Sequence, residues 1–254
     1  LSRDDPAPFA VERPKGQSPF LLIADHAGRQ IPRQLGMLGL ESADLQRHIA
    51  WDIGIAGLAS QLALHLDACL IRQNYSRLVI DCNRPLTARD SIATLSEQTP
   101  IPGNAKLTHA EAAQRAKAVF HPYHERIRQE LQLRRQLQRP TILVSLHSFT
   151  PVYQGLNRPW HAGVLYNRDT RLALPLLELL RQEPGLVIGD NQPYAVSDAS
   201  DYSIPVHGER NGIVHVELEI RQDLIQAASG QRAWVERLLR LLPRAAAGLE
   251  TLPA

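Results

Sequence analysis

The chain is poor in several residue types that define special classes of protein. Its 254 residues include two cysteines, one methionine and 5% aromatic residues. Two cysteines do not make a disulfide scaffold, and neither Cys69 nor Cys82 belongs to a metal-type CxxC pair. No apolar run is long enough to cross a bilayer, and the first residues lack the basic-then-apolar pattern of a signal peptide. We therefore expect a protein of the reducing cytoplasm.

The chain also lacks an excess of charge of one sign. Lysine and arginine total 28 against 26 aspartates and glutamates, which gives a formal net charge of +2. The arginines of residues 125–135 alternate with glutamates and leucines, which is typical of a solvated helix face rather than of a surface that follows phosphates. We expect neither a nucleic-acid nor a membrane partner. The length suffices for one substantial core, so we expect a single domain over residues 1–254.

Short apolar runs alternate with helical patterns along the chain. The predicted strands cover residues 20–24, 78–80, 141–146, 162–166, 186–188 and 213–220. The predicted helices cover residues 45–66, 108–120, 125–137, 172–180 and 234–242, and residues 1–18 form an irregular lead-in. This alternation predicts an α/β fold with a mixed, mainly parallel sheet and helices on both faces. Thr108 and Glu111 form the capping box that predicts one helix start. The aperiodic residues 87–107 are typical of a binding loop or lid.

Polar residues accompany four of the predicted strands where a simple core would not place them. They are Asp25 and His26 after the first strand, Asp81, Asn83 and Arg84 after the second, His147 and Ser148 after the third, and Glu217 and Glu219 within the last. If these strands are parallel neighbours, the polar groups converge at one edge of the sheet. Two histidines and a carboxylate there suit a catalytic zinc ion, which needs three protein ligands and an open position. A free glutamate could deprotonate water, and an arginine could stabilise an oxyanion.

Each of these residues also has a purely structural interpretation. A single histidine after a strand is more often a hydrogen-bonded structural residue, and Asp81 can simply neutralise a nearby arginine. The hydroxyl of Ser148 can cap the backbone, and Glu217 and Glu219 can form buried ion pairs. Asp52 can be a polar residue at a helix start, and residues 121–124 can be a rigid helix junction or a rival source of metal ligands.

Six ordered segments resemble the N-formylglutamate amidohydrolase family, a branch of the zinc-carboxypeptidase-like hydrolases. The segments are residues 25–28 (DHAG), 48–52 (HIAWD), 75–85 (YSRLVIDCNRP), 121–124 (HPYH), 146–149 (LHSF) and 217–224 (ELEIRQDL). Each segment is short, but the ordered set is specific and spans most of the chain, from about residue 19 to residue 224.

The resemblance implies a three-layer α/β/α sandwich of the phosphorylase/hydrolase-like type. It also implies metal-dependent hydrolysis of the amide bond of an N-acyl acidic amino acid such as N-formyl-L-glutamate. His26 and His147 would be zinc ligands, Glu219 the general base, and Arg77 the group that polarises the scissile carbonyl. Asn83 and Arg84 resemble the pair that holds a substrate carboxylate in related carboxypeptidases and acylases. We also expect Ser148, His124 and His207 to bind substrate.

One position departs from the wider family pattern. Arg29 stands where those hydrolases have a glutamate ligand, so the third ligand must come from elsewhere, and we expect Asp52, with Asp25 as the alternative. Two other hypotheses remain open. Ser148 beside His147 could indicate a serine hydrolase, although adjacent strand residues point to opposite faces and no GxSxG elbow is present. The chain could also bind an acidic small molecule without turning it over.

Overall fold

A seven-stranded sheet forms the centre of the computed structural model, which describes residues 1–249. Its strands are β1 (Phe9–Glu12), β2 (Phe20–Ala24), β3 (Cys69–Gln73), β6 (Ile142–Phe149), β9 (Ala162–Leu165), β10 (Ile188–Asp190) and β11 (Val214–Arg221). Two small hairpins lie outside it, formed by β4 (Leu95–Ser96) with β5 (Thr99–Pro100) and by β7 (Val152–Tyr153) with β8 (Leu156–Asn157).

The strand order in the sheet is β1-β3-β2-β6-β11-β9-β10. The four strands β3, β2, β6 and β11 run in one direction, while β1 pairs antiparallel with β3 and β9 pairs antiparallel with β11. The edge strand β10 is parallel to β9. The predicted α/β class with a mixed, mainly parallel sheet is confirmed. The carboxyl ends of β2, β6 and β11 therefore meet at one edge of the sheet.

Helices cover both faces of the sheet and create two apolar cores. The helices are α1 (Ile55–Leu66), α2 (His109–Arg115), α3 (His121–Gln136), α4 (Ala173–Arg181) and α5 (Ala228–Ala245). Buried side chains of α1, α4 and α5 pack on one face, and those of α3 and the π-helical turn Ala116–Phe120 pack on the other. The three predicted layers are therefore present. None of the helices within residues 1–249 is both long enough and apolar enough to span a membrane.

The prediction of a strand over residues 78–80 was wrong. Leu78, Val79 and Ile80 are buried, but they lie in an irregular segment rather than in the sheet. Side chains satisfy the backbone there, because Asn104 donates to the Leu78 carbonyl at 2.9 Å and Arg115 donates to the Val79 carbonyl at 3.0 Å. A buried apolar run needs no strand partner when side chains supply its hydrogen bonds.

The strand β3, which lies between β1 and β2 in the sheet, was missed in the sequence. The predicted lead-in also contains β1, which pairs with β3, so residues 9–12 are not irregular. The helix predicted over residues 45–66 begins only at Ile55. Gly54 precedes it with φ of 85°, a left-handed conformation that interrupts the helical pattern. Asp52 therefore stands in a loop before α1 rather than on the helix.

Other predicted boundaries agree closely with the structure. Thr108 and Glu111 form the predicted capping box at the start of α2. Pro122 lies in the first turn of α3, directly after the π-helical turn Ala116–Phe120. The strand predicted over residues 141–146 extends to Phe149, so His147 and Ser148 belong to β6 rather than following it.

We predict that Arg134 on α3 is important for stability. Its guanidinium is fully buried and donates to Glu130 and to the backbone carbonyls of residues 18–20 at the entrance to β2. Arg134→Met removes these donors and is expected to lower the free energy of unfolding by about 3 kcal/mol. Urea denaturation checks this value, with the exposed neighbour substitution Arg135→Met as the matched control. Equal stability of the two variants would contradict the prediction.

Candidate metal centre and active-site cavity

The two central strands carry the polar residues on one face of the sheet. In β11, Val216 and Leu218 point into the core formed with α1, α4 and α5, so Glu217 and Glu219 point to the opposite face. The register pairs Glu219 with His147 of β6. Residues that are partners in neighbouring strands share a face, so the alternation that builds the core also places these polar side chains together.

Three side chains from separate segments meet at the carboxyl edge of the sheet. His26 follows β2, Asp52 precedes α1, and His147 lies near the end of β6. The Nδ1 atoms of the two histidines are 3.2 Å apart, and Asp52 Oδ2 lies 3.1 Å from His147 Nδ1 and 3.6 Å from His26 Nδ1. Each of the three residues is buried, and together they form a candidate metal site.

The hydrogen-bond partners of the two Nε2 atoms indicate which ring nitrogen of each histidine carries the proton. His26 Nε2 donates to Asp81 Oδ1 at 2.7 Å. His147 Nε2 lies 3.0 Å from the Ser145 hydroxyl and 3.4 Å from Asp25 Oδ2. With a proton on each Nε2, both Nδ1 atoms present lone pairs towards the Asp52 carboxylate. This carboxylate–imidazole arrangement orients ligands around a metal ion, and the separations of 3.1–3.6 Å suit ligands about 2.0–2.1 Å from one zinc ion.

Negative charge surrounds these histidines and shifts their pKa values. Burial alone would lower the pKa of His147, but Glu217, Asp25 and Asp52 outweigh burial and hold that pKa well above its ordinary value. For His26, burial and a nearby arginine oppose the two aspartates that contact it, and the net effect is a raised pKa. The same field of carboxylates that attracts a proton also favours a divalent cation at this position.

The structure places the two candidates for the third ligand in different positions. Asp25 lies behind His147, away from the three facing atoms, and its Oδ1 accepts a hydrogen bond from Ser203 at 2.8 Å. Asp52 is the carboxylate that faces both Nδ1 atoms. Arg29 lies outside the cluster, where it donates to Gln46 at 2.7 Å. The geometry therefore favours Asp52 over Asp25.

Arg77 links the aspartates on either side of His26. Its Nη2 is 2.7 Å from Asp81 Oδ2, and its Nη1 is 3.7 Å from Asp52 Oδ1. Asp81 thus neutralises an arginine, as its structural interpretation proposed, and also holds the His26 proton. Because the Arg77 side chain is 27% exposed and lines the cavity, its guanidinium is accessible to a bound ligand.

A cavity of about 410 Å³ opens directly above the three facing atoms. The loop of residues 87–107, which the sequence indicated as a binding loop, contributes five of the lining residues: Asp90, Ala93, Leu95, Ser96 and Glu97. Other parts of the chain contribute further lining residues, among them Arg84, Tyr153, Tyr194, Glu217 and Glu219. A cavity of this size holds a small metabolite.

Glu219 has the position expected of a general base. It lines the cavity, and its Oε2 is buried without a hydrogen-bond partner within residues 1–249. Burial raises the pKa of Glu219 to about 7, because the carboxylate loses solvation and Asp52 repels its charge, although His147 acts in the opposite direction. Burial likewise raises the pKa of Glu217 to about 8. Glu217 Oε2 lies 3.9 Å from His147 Nε2, the ring nitrogen that does not belong to the three facing atoms.

Asn83 and Arg84, which were predicted to bind a substrate carboxylate, both line the cavity. The Asn83 amide is held within the protein, because its oxygen accepts from the backbone N–H groups of Tyr202 and Ser203 at 3.1 and 3.0 Å. Arg84 lines the cavity, and it contacts Asp90 at 3.0 Å and the carbonyl of Ser200. The Asn83 oxygen thus holds the segment at 202–203, and the Arg84 guanidinium is held in the cavity wall by Asp90 and Ser200.

The other predicted substrate contacts differ in location. Ser148 lines the cavity, but its hydroxyl donates to the Ile53 carbonyl at 3.0 Å and reaches no histidine. His124 and His207 are buried outside the cavity lining, where they contact each other at 3.0 Å. His124 also donates to the Cys82 carbonyl at 2.8 Å, so the pair supports the segment that carries Asp81 and Asn83. The structure does not bring these two histidines to the cavity.

Two aromatic lining residues were missed in the sequence. Tyr153 belongs to the hairpin after β6, and Tyr194 belongs to the long segment between β10 and β11. Neither belongs to a cluster of polar residues in the sequence, so no pattern distinguished them. His48 also lines the cavity; its presence in the same segment as Asp52 was the available signal.

The sequence profile of one protein family matches residues 18–226, and that family is N-formylglutamate amidohydrolase. This match covers all the segments that form the cluster. The chain belongs to the N-formylglutamate amidohydrolase family. Family membership supports a hydrolase that acts on the amide bond of a formylglutamate-like substrate.

Two solved structures resemble the chain over nearly its whole length. A gene product of Agrobacterium tumefaciens is 35% identical with a TM-score of 0.93, and the match covers 96% of this chain and 97% of that one. An N-formylglutamate amidohydrolase from Ralstonia eutropha is 19% identical with a TM-score of 0.66, covering 96% and 100% of the two chains. The second likeness shows the fold alone. No curated protein matches the sequence.

We predict that Asp81 controls the metal affinity of this member of the family. Asp81→Asn removes the carboxylate that holds the His26 proton and pairs with Arg77, and loss of such an outer partner typically lowers metal affinity by about 10–100-fold. Competition with a chromogenic chelator measures the zinc affinity of the purified variant. Asp90→Asn is the control, because Asp90 pairs with Arg84 and contacts no histidine. Unchanged zinc affinity in Asp81→Asn would show that this contact does not orient a ligand.

Proposed function

We propose that this chain hydrolyses the amide bond of an N-formyl acidic amino acid, with N-formyl-L-glutamate as the leading candidate, and that it requires zinc. The observation that carries the proposal is the set of three facing ligand atoms on His26, Asp52 and His147 in a cavity that two arginines also line. Imidazole and carboxylate ligands suit zinc, and three protein ligands leave a position for catalysis. A zinc ion held there would supply Lewis-acid chemistry to water and to the scissile carbonyl.

Side chains of the protein carry out proton transfer and charge stabilisation during hydrolysis. Water oxygen bonds to the formyl carbon while Glu219 accepts a proton from the water. Arg77 stabilises the negative charge that develops on the carbonyl oxygen. When the carbon–nitrogen bond breaks, Glu219 returns the proton to the departing amine, which yields formate and the free amino acid. Glu219 is suited to both transfers because its Oε2 has no competing partner in the part of the chain described.

Two arginines in the cavity wall suit an anionic substrate. Arg84 and Arg77 both line the cavity, and the loop that Asn83 holds in place brings the Ser200 carbonyl against Arg84. A carboxylate bound at Arg84 would fix the substrate relative to the facing atoms, which lowers the entropic part of the barrier. Arg84 is therefore the proposed anchor for one substrate carboxylate, and Asn83 is its positioning residue.

The proposed base is tested by Glu219→Gln, which retains the shape of the side chain and removes its basicity. Formate release from N-formyl-L-glutamate should fall by about 100-fold or more, and the bound zinc should not change, because Glu219 is not a ligand. Measurement of kcat together with zinc content separates the two effects. Glu236→Gln on the exposed face of α5 serves as the control. Normal turnover by Glu219→Gln would remove Glu219 from the mechanism.

Metal dependence is tested by dialysis against a chelator. Hydrolysis should be lost with the zinc and return when zinc is added, whereas a serine-directed acylating reagent should have no effect, because the Ser148 hydroxyl contacts no histidine. Full turnover by metal-free protein would contradict the proposal. Zinc-loaded protein that binds N-formyl-L-glutamate without releasing formate would instead identify a binding protein.

A further inference from the structure

The substrate of the proposed function, on which this inference rests, has two carboxylates. It therefore needs a second cationic contact beyond Arg84. The arginines that line the cavity already have acidic partners. Arg77 pairs with Asp81 and Asp52, and Arg84 pairs with Asp90. Arg158 differs from them, because no carboxylate within residues 1–249 lies within 4.0 Å of its guanidinium. A half-buried arginine without an acidic partner next to a cavity is a natural anion site.

The surroundings of Arg158 connect it to the cavity wall. The guanidinium lies 4.5 Å from the ring centre of Tyr153, 4.8 Å from that of Tyr194 and 5.9 Å from that of Phe149. All three rings line the cavity. The backbone N–H of Arg158 donates to the Pro151 carbonyl at 2.8 Å, which closes the hairpin of β7 and β8. Ring contacts and hairpin closure together hold the cation at the margin of the cavity.

Tyr194 links this cation to the cavity. Arg158 Nη1 donates to the Tyr194 hydroxyl oxygen at 2.8 Å. The phenol proton has no acceptor among the described residues, so it is free to donate to a bound oxygen. Tyr194 and Glu219 line the same cavity, so an oxygen bound to the phenol lies in the same space as the proposed base.

We propose that Arg158 and Tyr194 bind the second carboxylate of the substrate and thereby select dicarboxylic N-formyl amino acids over monocarboxylic ones. Arg158 supplies the charge, and the Tyr194 hydroxyl supplies a hydrogen bond directed into the cavity. With Arg84 at the first carboxylate, both carboxylates of the amino-acid part are held, and the formyl group is left to face His26, Asp52 and His147. The pair determines specificity and takes no part in proton transfer.

The test measures binding in the Glu219→Gln background, which separates recognition from turnover. The probes are N-formyl-L-glutamate and two compounds that each lack one carboxylate charge, N-formyl-L-glutamine and N-formyl-4-aminobutyrate. Isothermal titration compares Arg158→Gln and Tyr194→Phe with their common parent. Arg232→Gln on α5 is the matched control, because Arg232 is exposed and does not line the cavity.

Arg158→Gln should weaken N-formyl-L-glutamate binding on the order of 100-fold, and Tyr194→Phe about tenfold. For one of the two singly charged compounds the dissociation constant should change less than about threefold, because that compound lacks the carboxylate that Arg158 and Tyr194 bind. Equal weakening for all three compounds, no weakening for any, or no binding of N-formyl-L-glutamate by the parent would overturn the proposal. The proposed function has its own test, which is formate release by the wild-type protein. The binding comparison needs no turnover, so the two proposals can fail independently.

Discussion

Two imidazole nitrogens and a carboxylate oxygen stand 3.1–3.6 Å apart with their lone pairs directed at one another. Such an arrangement is repulsive unless a cation lies among the three atoms, and the rest of the site is organised around this requirement. Asp81 and Asp25 hold the outer edges of the imidazoles, and both carboxylates are buried. A cluster of negative charge this dense is expensive inside a protein unless a cation compensates it.

The fold meets that requirement by separating its two faces. One face of the sheet carries the larger apolar core with α1, α4 and α5, which buries the alternating aliphatic residues of β6 and β11. The opposite face of the same two strands is then free to carry His147, Glu217 and Glu219. Because the strands are parallel and in register, His147 and Glu219 are brought together by backbone hydrogen bonds rather than by flexible loops. Sites built on strands in this way hold their geometry closely.

Loops add the parts of the site that recognise a ligand. Arg84 follows an irregular buried segment, Tyr153 lies in a hairpin, and Tyr194 lies in the long connection before β11. Their positions depend on contacts such as those of Asn83 with the backbone at 202–203 and of Arg158 with Tyr194. The division is physically reasonable, since rigid strands fix the reacting groups and loops define which molecules reach them. Amide hydrolysis follows from the family, and the proposed substrate contacts all lie on these loops.

The amino-acid sequence by itself determined the α/β class, the polar residues that accompany buried strands and the family. Periodicity and residue order carry that information, because alternation along a strand is a local property. Only the tertiary structure decided that Asp52 rather than Asp25 faces the two histidines, that residues 78–80 are not a strand, and that His124 and His207 lie outside the cavity. These outcomes depend on hydrogen bonds and packing between segments far apart in the chain. A local sequence pattern does not predict such contacts.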